Sequence, residues 1–238
     1  MKSTLPYDFK KELHRLQIDE TQPFVVAVSG GMDSVVLTEL CHRLALNFSI
    51  VHCNFGLRGE ESNRDEAFVR NLGAKYGVEV FVQPFDTTAY AAEHKLSIQE
   101  AARTLRYAFF EKVRKEKGAS YVLLAHHAND NIETVLMHFF RGTGLQGLTG
   151  IPQMGTYLAR SLRPLLPFTR KELETFAKEA NLSWVEDSSN SLDKYTRNFF
   201  RNGLIPQLQT VYPQVEENLL QNIQRFNQTH ALYEQLLQ

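Results

Sequence analysis

The sequence predicts an α/β fold: a doubly wound, mainly parallel five-stranded sheet followed by a helical C-terminal segment. First, runs rich in β-branched residues alternate along the chain with segments of helical periodicity. Second, these runs are largely apolar rather than alternating, as strands covered on both faces of a sheet are. Third, the first run is followed by a glycine turn that leads directly into an apolar helix.

Five apolar runs predict the strands, and seven segments with apolar residues three and four apart predict the helices. The strands occupy residues 24–28, 48–53, 78–82, 121–125 and 157–162. The helices occupy residues 7–17, 35–45, 60–76, 98–117, 130–140, 170–180 and 213–238. The stretch at 141–150 is expected to be a loop, because it holds four glycines in ten residues.

The composition excludes several classes of protein. A formal net charge of −1, with 22% charged residues, argues against an overall basic nucleic-acid binder, so any RNA contact must come from local patches. Cys41 and Cys53 form neither a CxxC pair nor a disulfide framework, which suits a reducing cytoplasm. The polar N-terminal residues predict no signal peptide, and no apolar run is long enough to cross a bilayer. We therefore expect a cytoplasmic protein without a membrane partner.

Residues 29–34, Ser-Gly-Gly-Met-Asp-Ser, form the turn between the first strand and the helix that follows it. A helix start presents free backbone N–H groups and partial positive charge. Gly30 and Gly31 let the backbone approach an anion closely. A phosphate site is favoured over the alternative, an ordinary turn with a capping serine. Asp33 would repel a phosphate unless a cation bridged the two, which points to Mg²⁺.

This turn differs from two other nucleotide-binding loops. No lysine follows Gly31, as the loops of kinases and GTPases would require, so transfer of a γ-phosphoryl group is not predicted. The Gly-x-Gly-x-x-Gly pattern of dinucleotide-binding folds is also absent. The hexamer instead resembles the pyrophosphate loop of the N-type ATP pyrophosphatases, which hold the β,γ-pyrophosphate while the α-phosphorus is attacked. The resemblance implies transfer of AMP rather than of phosphate.

Polar segments follow three of the predicted strands, at residues 29–34, 52–58 and 126–133. In parallel sheets, ligands bind outside the carboxyl ends of the strands. We therefore expect these three segments to contribute to one site.

Four further segments resemble those of the tRNA(Ile)-lysidine synthetases, which belong to the PP-loop superfamily. They are His52-Cys53-Asn54-Phe55-Gly56-Leu57-Arg58, Ala102-Arg103-Thr104-Leu105-Arg106-Tyr107, His126-His127-Ala128-Asn129-Asp130-Asn131-Ile132-Glu133-Thr134 with the glycines after it, and Arg197-Asn198-x-x-Arg201. The likeness covers residues 23–206 and implies an adenine nucleotide alpha hydrolase-like fold. It also implies an ATP-binding catalytic domain over residues 1–206, with residues 207–238 as a helical linker or the start of a C-terminal region.

The resemblance implies a ligase that works in two steps. The C2 oxygen of the wobble cytidine in a CAU-anticodon isoleucine tRNA attacks the ATP α-phosphate, and L-lysine then displaces AMP. With ATP and Mg²⁺ as the implied ligands, the implied nucleotide-binding residues are Ser29, Gly30, Gly31, Met32, Asp33, Ser34, His52 and Arg58. The implied catalytic residues are Asp33, Arg106, His126, Asp130 and Glu133.

Asp130 and Glu133 lie three residues apart near a predicted helix start, so both can point into the same cleft. They could bind Mg²⁺, with Asp130 as a metal ligand in addition to Asp33. They could instead recognise the ammonium group of lysine and take its proton. The alternative is a pair of acids that complements the helix dipole. The family resemblance favours the active-site hypothesis.

Three arginines are candidates for binding phosphate groups. Arg106 could clamp a phosphate of ATP, and the alternative is a surface arginine in a salt bridge. Arg197 and Arg201 lie four residues apart and could contact the RNA backbone or the ATP phosphates.

The chain departs from the family pattern His-His-x-Asp-Asp-Gln at Asn129 and Asn131, while Asp130 and Glu133 are retained. Phe55 stands where the family often has a second histidine. Many members continue into C-terminal domains that bind the tRNA. This sequence does not include them, so we expect either a short form or part of a longer chain, and a homodimer is a further alternative.

Three other classes of protein are alternatives. An amide-forming ligase such as an NAD or GMP synthetase would share the glycine turn but not the His-His-x-x-Asp-x-x-Glu-Thr segment. A tRNA thiolase of the same superfamily would need cysteines that carry a persulfide or bind a cluster, and Cys41 and Cys53 are poor candidates. A nucleotide-binding sensor without catalysis would not need Asp33, Asp130 and Glu133 near the phosphates.

Overall fold

The computed structural model describes residues 3–155, 160–186 and 196–236. By backbone proximity the chain divides into two compact units. Unit 1 contains the described residues of Met1–Ala125, Gln153–Leu165 and Lys171–Glu186. Unit 2 contains those of His126–Pro152, Leu166–Arg170 and Asp187–Gln238. The predicted division of the sequence at residue 206 is not tested by these units and stays a prediction.

Helices and strands alternate through most of the chain. The strands are β1 (Phe24–Ala27), β2 (Phe48–Asn54), β3 (Val80–Pro84), β4 (Tyr121–Leu123), β5 (Met154–Gly155) and β6 (Ser161–Leu162). The helices are α1 (Leu5–Arg15), α2 (Met32–Arg43), α3 (Glu60–Tyr76), α4 (Thr87–His94), α5 (Ile98–Glu116), α6 (Ala128–Arg141), α7 (Leu145–Leu148), α8 (Arg170–Glu179), α9 (Thr196–Phe199), α10 (Ile205–Val211) and α11 (Val215–Leu236), with a π-helix at Phe200–Leu204 between α9 and α10.

Unit 1 contains one sheet, with the strand order β3-β2-β1-β4-β6-β5. All neighbouring strands are parallel except β5, which pairs antiparallel with β6. The predicted doubly wound, mainly parallel fold is therefore confirmed. Among the described residues the sheet has six strands rather than the predicted five, because the two-residue β5 is too short to leave an apolar signal in the sequence. Of the predicted strand at 157–162, residues 161–162 form β6, and residues 157–159 lie outside the described residues.

The core of unit 1 explains why the strands are apolar. Val25, Val51 and Val122, from three neighbouring strands, are fully buried, and Phe110 and Val113 of α5 pack against them. Helix α5 begins with a capping box, which satisfies two backbone N–H groups that would otherwise lack partners. A well-capped helix with an apolar face thus packs against the sheet and helps to bury its strands.

Unit 2 is helical, and its core forms between α6, α11 and the helical segment around residue 200. The buried residues of this core are Ile132, Val135, Leu136, Phe200, Ile205 and Ile223. The predicted C-terminal helix is confirmed as α11. The prediction of a loop at 141–150 is wrong at its centre, where α7 forms a single helical turn. The carbonyl group of Gly147, at the end of this turn, lies 2.9 Å from Nδ1 of His138 on α6. Among the described residues, no helix is long and apolar enough to span a membrane.

Candidate functional site

The turn at 29–34 joins β1 to α2 as predicted and is held by its own side chains. The hydroxyl group of Ser34 donates to the carbonyl oxygen of Gly31 at 2.8 Å, and the N–H group of Gly31 donates to the hydroxyl group of Ser29 at 3.3 Å. The Ser29 and Ser34 hydroxyl groups lie 3.3 Å apart. The helical ladder begins where the N–H group of Val35 donates to the Gly31 carbonyl. The preceding amide groups therefore belong to the helix start, where an anion is stabilised.

The two glycines of the turn have different roles. Gly30 has a φ of +99°, a conformation that residues with a Cβ atom rarely adopt. Its carbonyl group accepts a hydrogen bond of 2.9 Å from the N–H group of Val185, which anchors the turn. Gly31 is the residue before α2 and has an ordinary extended conformation, with φ −71° and ψ 160°. A Cβ atom on Gly31 would lie 3.5 Å from the Ser29 hydroxyl group, inside the turn. Gly30 therefore permits the backbone conformation of the turn, and Gly31 leaves space on the inner side of the turn.

Asp33 lies in the first turn of α2, and Met32 beside it is buried. Mg²⁺ bound to a nucleotide commonly takes one or two carboxylates, with phosphate oxygens and water completing its shell. A single half-buried carboxylate in the first turn of a helix fits that requirement. Among the described residues, no group of three or more His, Cys, Asp or Glu side chains forms a metal site of its own.

His52 is buried near the end of β2, beside the same turn. Its Nδ1 atom lies 2.8 Å from the carbonyl oxygen of Val28, the residue before Ser29. Because a carbonyl oxygen only accepts, Nδ1 carries the proton. Burial lowers the pKa of His52, against the opposing effects of the Val28 carbonyl group and of Glu66 and Asp65. His52 is therefore a neutral imidazole whose Nε2 atom is a hydrogen-bond acceptor.

Arg58 lies in the segment after β2 and contacts acidic side chains of α3. One guanidinium nitrogen lies 2.8 Å from Oδ2 of the buried Asp65, and another lies 3.9 Å from Oε2 of Glu61. These contacts fix the side chain at the start of α3, where it is about one third exposed. Binding a phosphate through Arg58 would therefore require it to share these partners, and its predicted nucleotide-binding role stays a prediction.

Arg106 of α5 lies over the aromatic ring of Phe55, with its guanidinium carbon 5.2 Å from the ring centroid. Phe55 in turn stacks on Phe85 at 5.7 Å between centroids. A cation over an aromatic face keeps its hydrogen-bond donors available at the edge of the guanidinium plane. The described contact of Arg106 is thus with an aromatic ring, and its predicted role as a phosphate clamp stays a prediction.

In unit 2, His126 and His127 lead into α6, and Asp130 lies in its first turn. The N–H group of His127 donates to Oδ2 of Asp130 at 3.0 Å, and the buried His127 ring approaches the same oxygen to 3.5 Å. Burial favours a raised pKa of Asp130, but electrostatic attraction to His127, His126 and Arg197 and the backbone hydrogen bond outweigh it. The pKa of Asp130 therefore lies below its usual value, and the group is ionised near neutral pH.

Glu133, one helical turn along α6, meets two arginines from the segment near residue 200. Arg201 donates from Nε to Oε1 of Glu133 at 2.6 Å, and its Nη2 atom also lies 3.2 Å from Oδ1 of Asp130. Arg197 approaches both carboxylates to 3.7 Å. Burial raises the pKa of Glu133 above its usual value, although Arg201 opposes the shift. The structure thus joins Asp130, Glu133, Arg197 and Arg201 in one cluster of four charges.

This pairing bears on two of the predictions from sequence. Contact of Arg197 and Arg201 with RNA or ATP phosphates stays a prediction, since the described contacts of these arginines are with carboxylates. Binding of Mg²⁺ by Asp130 also stays a prediction. One of its oxygens faces arginines and the other accepts the His127 N–H group, so a metal ion would have to displace these contacts.

A cavity of about 320 Å³ opens beside the charge cluster in unit 2. Acidic, basic, amide and apolar side chains all line it: Asn129, Glu133, Arg170, Arg201, Asn202, Ile205 and Glu216. The sequence did not single out Asn202 or Glu216 as site residues. Glu216 carries no motif signal at all, because an acidic residue in the first turn of a helix is common. A cavity that presents both signs of charge is suited to a small zwitterion.

The comparisons with known proteins agree with the resemblance noted in the sequence. The PP-loop domain family matches residues 2–208. The tRNA(Ile)-lysidine synthase of Bacteroides thetaiotaomicron is 43% identical over 214 residues, which cover 90% of this chain and 49% of that protein. The tRNA(Ile)-lysidine synthase of Chlorobaculum tepidum is 38% identical over 228 residues, which cover 94% of this chain and 67% of that protein. The chain thus spans about half the length of the Bacteroides relative.

A solved structure confirms the fold class. The U34-tRNA thiolase NcsA from Methanococcus maripaludis superposes with a TM-score of 0.72, covering 92% of this chain and 77% of that one, at 16% identity. At this identity the likeness concerns the fold alone. The assignment to a narrower family rests on the relatives of similar sequence. This chain belongs to the PP-loop domain family and, within that family, to the tRNA(Ile)-lysidine synthases.

Proposed function

We propose that this chain catalyses the ATP-dependent ligation of L-lysine to C2 of the wobble cytidine in an isoleucine tRNA with the anticodon CAU. The observation that carries the proposal is the glycine turn between β1 and α2, which places backbone N–H groups at a helix start and has no lysine to reach a γ-phosphate. The similarity to tRNA(Ile)-lysidine synthases supports the choice of RNA and amino acid. The reaction would take place in the cytoplasm.

The first step would transfer AMP to the RNA. The C2 oxygen of the cytidine attacks the α-phosphorus of ATP, an O–P bond forms, the bond to the β-phosphate breaks, and pyrophosphate leaves. Charge builds on the leaving pyrophosphate, so fixed backbone N–H groups around it stabilise the transition state. The residues that would hold the pyrophosphate are those of the turn, Ser29, Gly30, Gly31, Met32 and Ser34. Mg²⁺, when bound by Asp33, would neutralise part of the phosphate charge.

Side chains around the turn would assist this step. Arg106 offers a planar guanidinium whose donors can pair with phosphate oxygens. His52 is neutral with an accepting Nε2 atom, so it suits a hydroxyl or amino group of the nucleotide better than a phosphate. His126 would steady the adenylated base, and Arg58 would contact the nucleotide from the start of α3.

The second step would use the charge cluster of unit 2. An amine of lysine attacks C2 of the adenylated cytidine, a C–N bond forms, the C2–O bond breaks, and AMP leaves with that oxygen. The attacking group must first lose a proton from its ammonium form. Glu133 can accept that proton more readily than an ordinary carboxylate, because burial raises its pKa. The ionised Asp130 and the guanidinium of Arg201 would orient lysine through its charged groups.

A tRNA thiolase, the alternative enzyme, is less well supported. Burial raises the pKa of Cys53 to about 12 and that of the fully buried Cys41 still further. A reactive or cluster-binding cysteine must form a thiolate readily. The two cysteines of the chain therefore do not match the chemistry of a sulfur transferase.

A lysine-incorporation assay tests the proposal. The chain is incubated with ATP, Mg²⁺, radiolabelled lysine and unmodified CAU-anticodon isoleucine tRNA, and label in the RNA is counted. We expect incorporation of lysine, and we expect Asp33→Asn to reduce it by about 100-fold or more, because the ligand proposed for Mg²⁺ is lost. The matched control is Glu60→Gln, which removes an acid from the first turn of α3 and should leave incorporation unchanged. Absence of label with the unmodified protein, or equal loss in both variants, would contradict the proposal.

A further inference from the structure

Glu216, in the first turn of α11, is fixed at the wall of the unit 2 cavity by two amide side chains. Nδ2 of Asn129 donates to its Oε1 atom at 2.5 Å, and Nε2 of Gln209 donates to its Oε2 atom at 2.9 Å. Each carboxylate oxygen thus accepts one hydrogen bond, and the group is held in a defined orientation.

The orientation of Asn129 is itself determined by its surroundings. Its Oδ1 atom accepts a hydrogen bond of 2.9 Å from the backbone N–H group of Arg170, so its Nδ2 atom must face Glu216. An aspartate at position 129 could accept from Arg170 but could not donate to Glu216. Asn129 therefore supplies the donor that a carboxylate at position 216 requires at the wall of the cavity.

The two carboxylates that line the cavity, Glu133 and Glu216, have different partners. Glu133 is paired with Arg201 at 2.6 Å. Glu216 is held by neutral amides, and among the described residues no ion pair within 4.0 Å includes it. A fixed carboxylate held only by neutral groups attracts a cationic group of a ligand. The cavity volume, about 320 Å³, lies at the small end of the usual range of ligand sites, so the ligand is small.

We propose that Glu216 determines specificity for the amino-acid substrate by binding the ammonium group of lysine that does not react, the α-ammonium. This inference rests on the proposed function. Lysine carries two ammonium groups, and the cavity offers two carboxylates for them. Glu133 suits the reacting group, since it can take up a proton, while Glu216 is fixed by two donors and suits a group that keeps its charge.

The test compares Glu216→Gln with the unmodified chain in the lysine-incorporation assay. Loss of a charge-assisted hydrogen bond should raise the KM for lysine about ten- to hundredfold, with kcat and the KM for ATP within about threefold. The probe for the α-ammonium is 6-aminohexanoate, which keeps the terminal amine and the carboxylate but lacks that group. The inhibition constant of 6-aminohexanoate should differ by less than about threefold between Glu216→Gln and the unmodified chain. This compound has no α-ammonium group and so cannot form the contact that the substitution removes.

Glu217→Gln, at the exposed neighbouring position, is the control and should leave every constant unchanged. Thermal melting of each variant verifies that it is folded. An unchanged KM for lysine in Glu216→Gln, or equal weakening of lysine and 6-aminohexanoate, would overturn the inference and leave the proposed function intact. If the unmodified chain incorporates no lysine, the proposed function fails, and the inference fails with it.

Discussion

Arg201 and Glu133 form a two-pronged ion pair, with Nε–Oε1 at 2.6 Å and Nη2–Oε2 at 3.1 Å. Glu133 is 1% exposed at its side chain, so its charge has almost no access to water. The pair joins α6 to the π-helix 68 residues later in the chain. A buried carboxylate in such a pair depends on its partner far more than a surface ion pair does.

Replacement of Arg201 by glutamine should therefore destabilise unit 2. Glu133 would lose its main partner and keep only the more distant Arg197 beside the like charge of Asp130, which costs about 3 kcal/mol of unfolding free energy. Urea denaturation at pH 7 measures the difference. Arg225→Gln, which changes an exposed arginine of α11, should shift the free energy by less than about 0.5 kcal/mol. If Arg201→Gln lowered the free energy of unfolding by less than about 1 kcal/mol, the ion pair would contribute little to stability.

His52 should make stability depend on pH on the acid side of neutrality. Its pKa is lower in the folded protein than the usual value near 6.5, because it is buried. The unfolded chain then binds more protons than the folded chain, so stability is complete above about pH 6.5 and falls as pH decreases through the folded pKa. His52→Gln should flatten the unfolding free energy between about pH 7 and 5.

The control for this titration is His94→Gln, which changes an exposed histidine on α4. It should retain the acid-side slope of the unmodified chain. If His52→Gln kept the same slope as His94→Gln, another group would be responsible for the pH dependence.

The two glycines of the turn should respond differently to alanine. Gly30→Ala forces a Cβ atom onto a residue with φ +99° and should cost about 1–3 kcal/mol of stability. Gly31→Ala should cost less than about 1 kcal/mol, since its backbone is ordinary, but should raise the KM for ATP by narrowing the turn. Chemical denaturation and ATP kinetics on both variants separate these effects. Equal stability losses would contradict the assigned roles.

Asn129 and Glu216 should be energetically coupled. Asn129→Asp places two carboxylates at hydrogen-bond distance and should destabilise unit 2 by about 1–2 kcal/mol. Combining it with Glu216→Gln restores a donor opposite an acceptor, so the double variant should recover most of that loss. The measurement is a double-mutant cycle of unfolding free energies, with an expected coupling of at least about 1 kcal/mol. Simple additivity would indicate that the amide contact has no energetic role.

Much of the fold could be predicted from the sequence, because apolar runs and helical periodicity are local patterns. Helix α3, with its apolar periodicity, was predicted to the residue, and the apolar runs of β1 and β2 were located within one residue at each end. Strand β5 and helix α7 were not predicted, because segments of two to four residues are too short to show a periodicity. The glycines in and around them also favoured the prediction of a loop.

The candidate site could be predicted from the sequence only in part. The turn at 29–34 has a local pattern, and its geometry follows from two glycines and a helix start. The pairing of Arg201 with Glu133 joins residues 68 positions apart, and that of Glu216 with Asn129 joins residues 87 apart. No sequence period relates such partners, so their contact follows only from the packing of α6, α11 and the π-helix segment.

The central claim is that the turn after β1 holds the β,γ-pyrophosphate so that the α-phosphorus of ATP is attacked. The most direct measurement is the fate of ATP labelled at either the α- or the γ-phosphate, incubated with the protein, Mg²⁺ and unmodified isoleucine tRNA. We predict that the α-label enters the RNA and, on addition of lysine, is released as AMP, while the γ-label appears in pyrophosphate. Recovery of ADP and orthophosphate, with no α-label on the RNA, would contradict the claim.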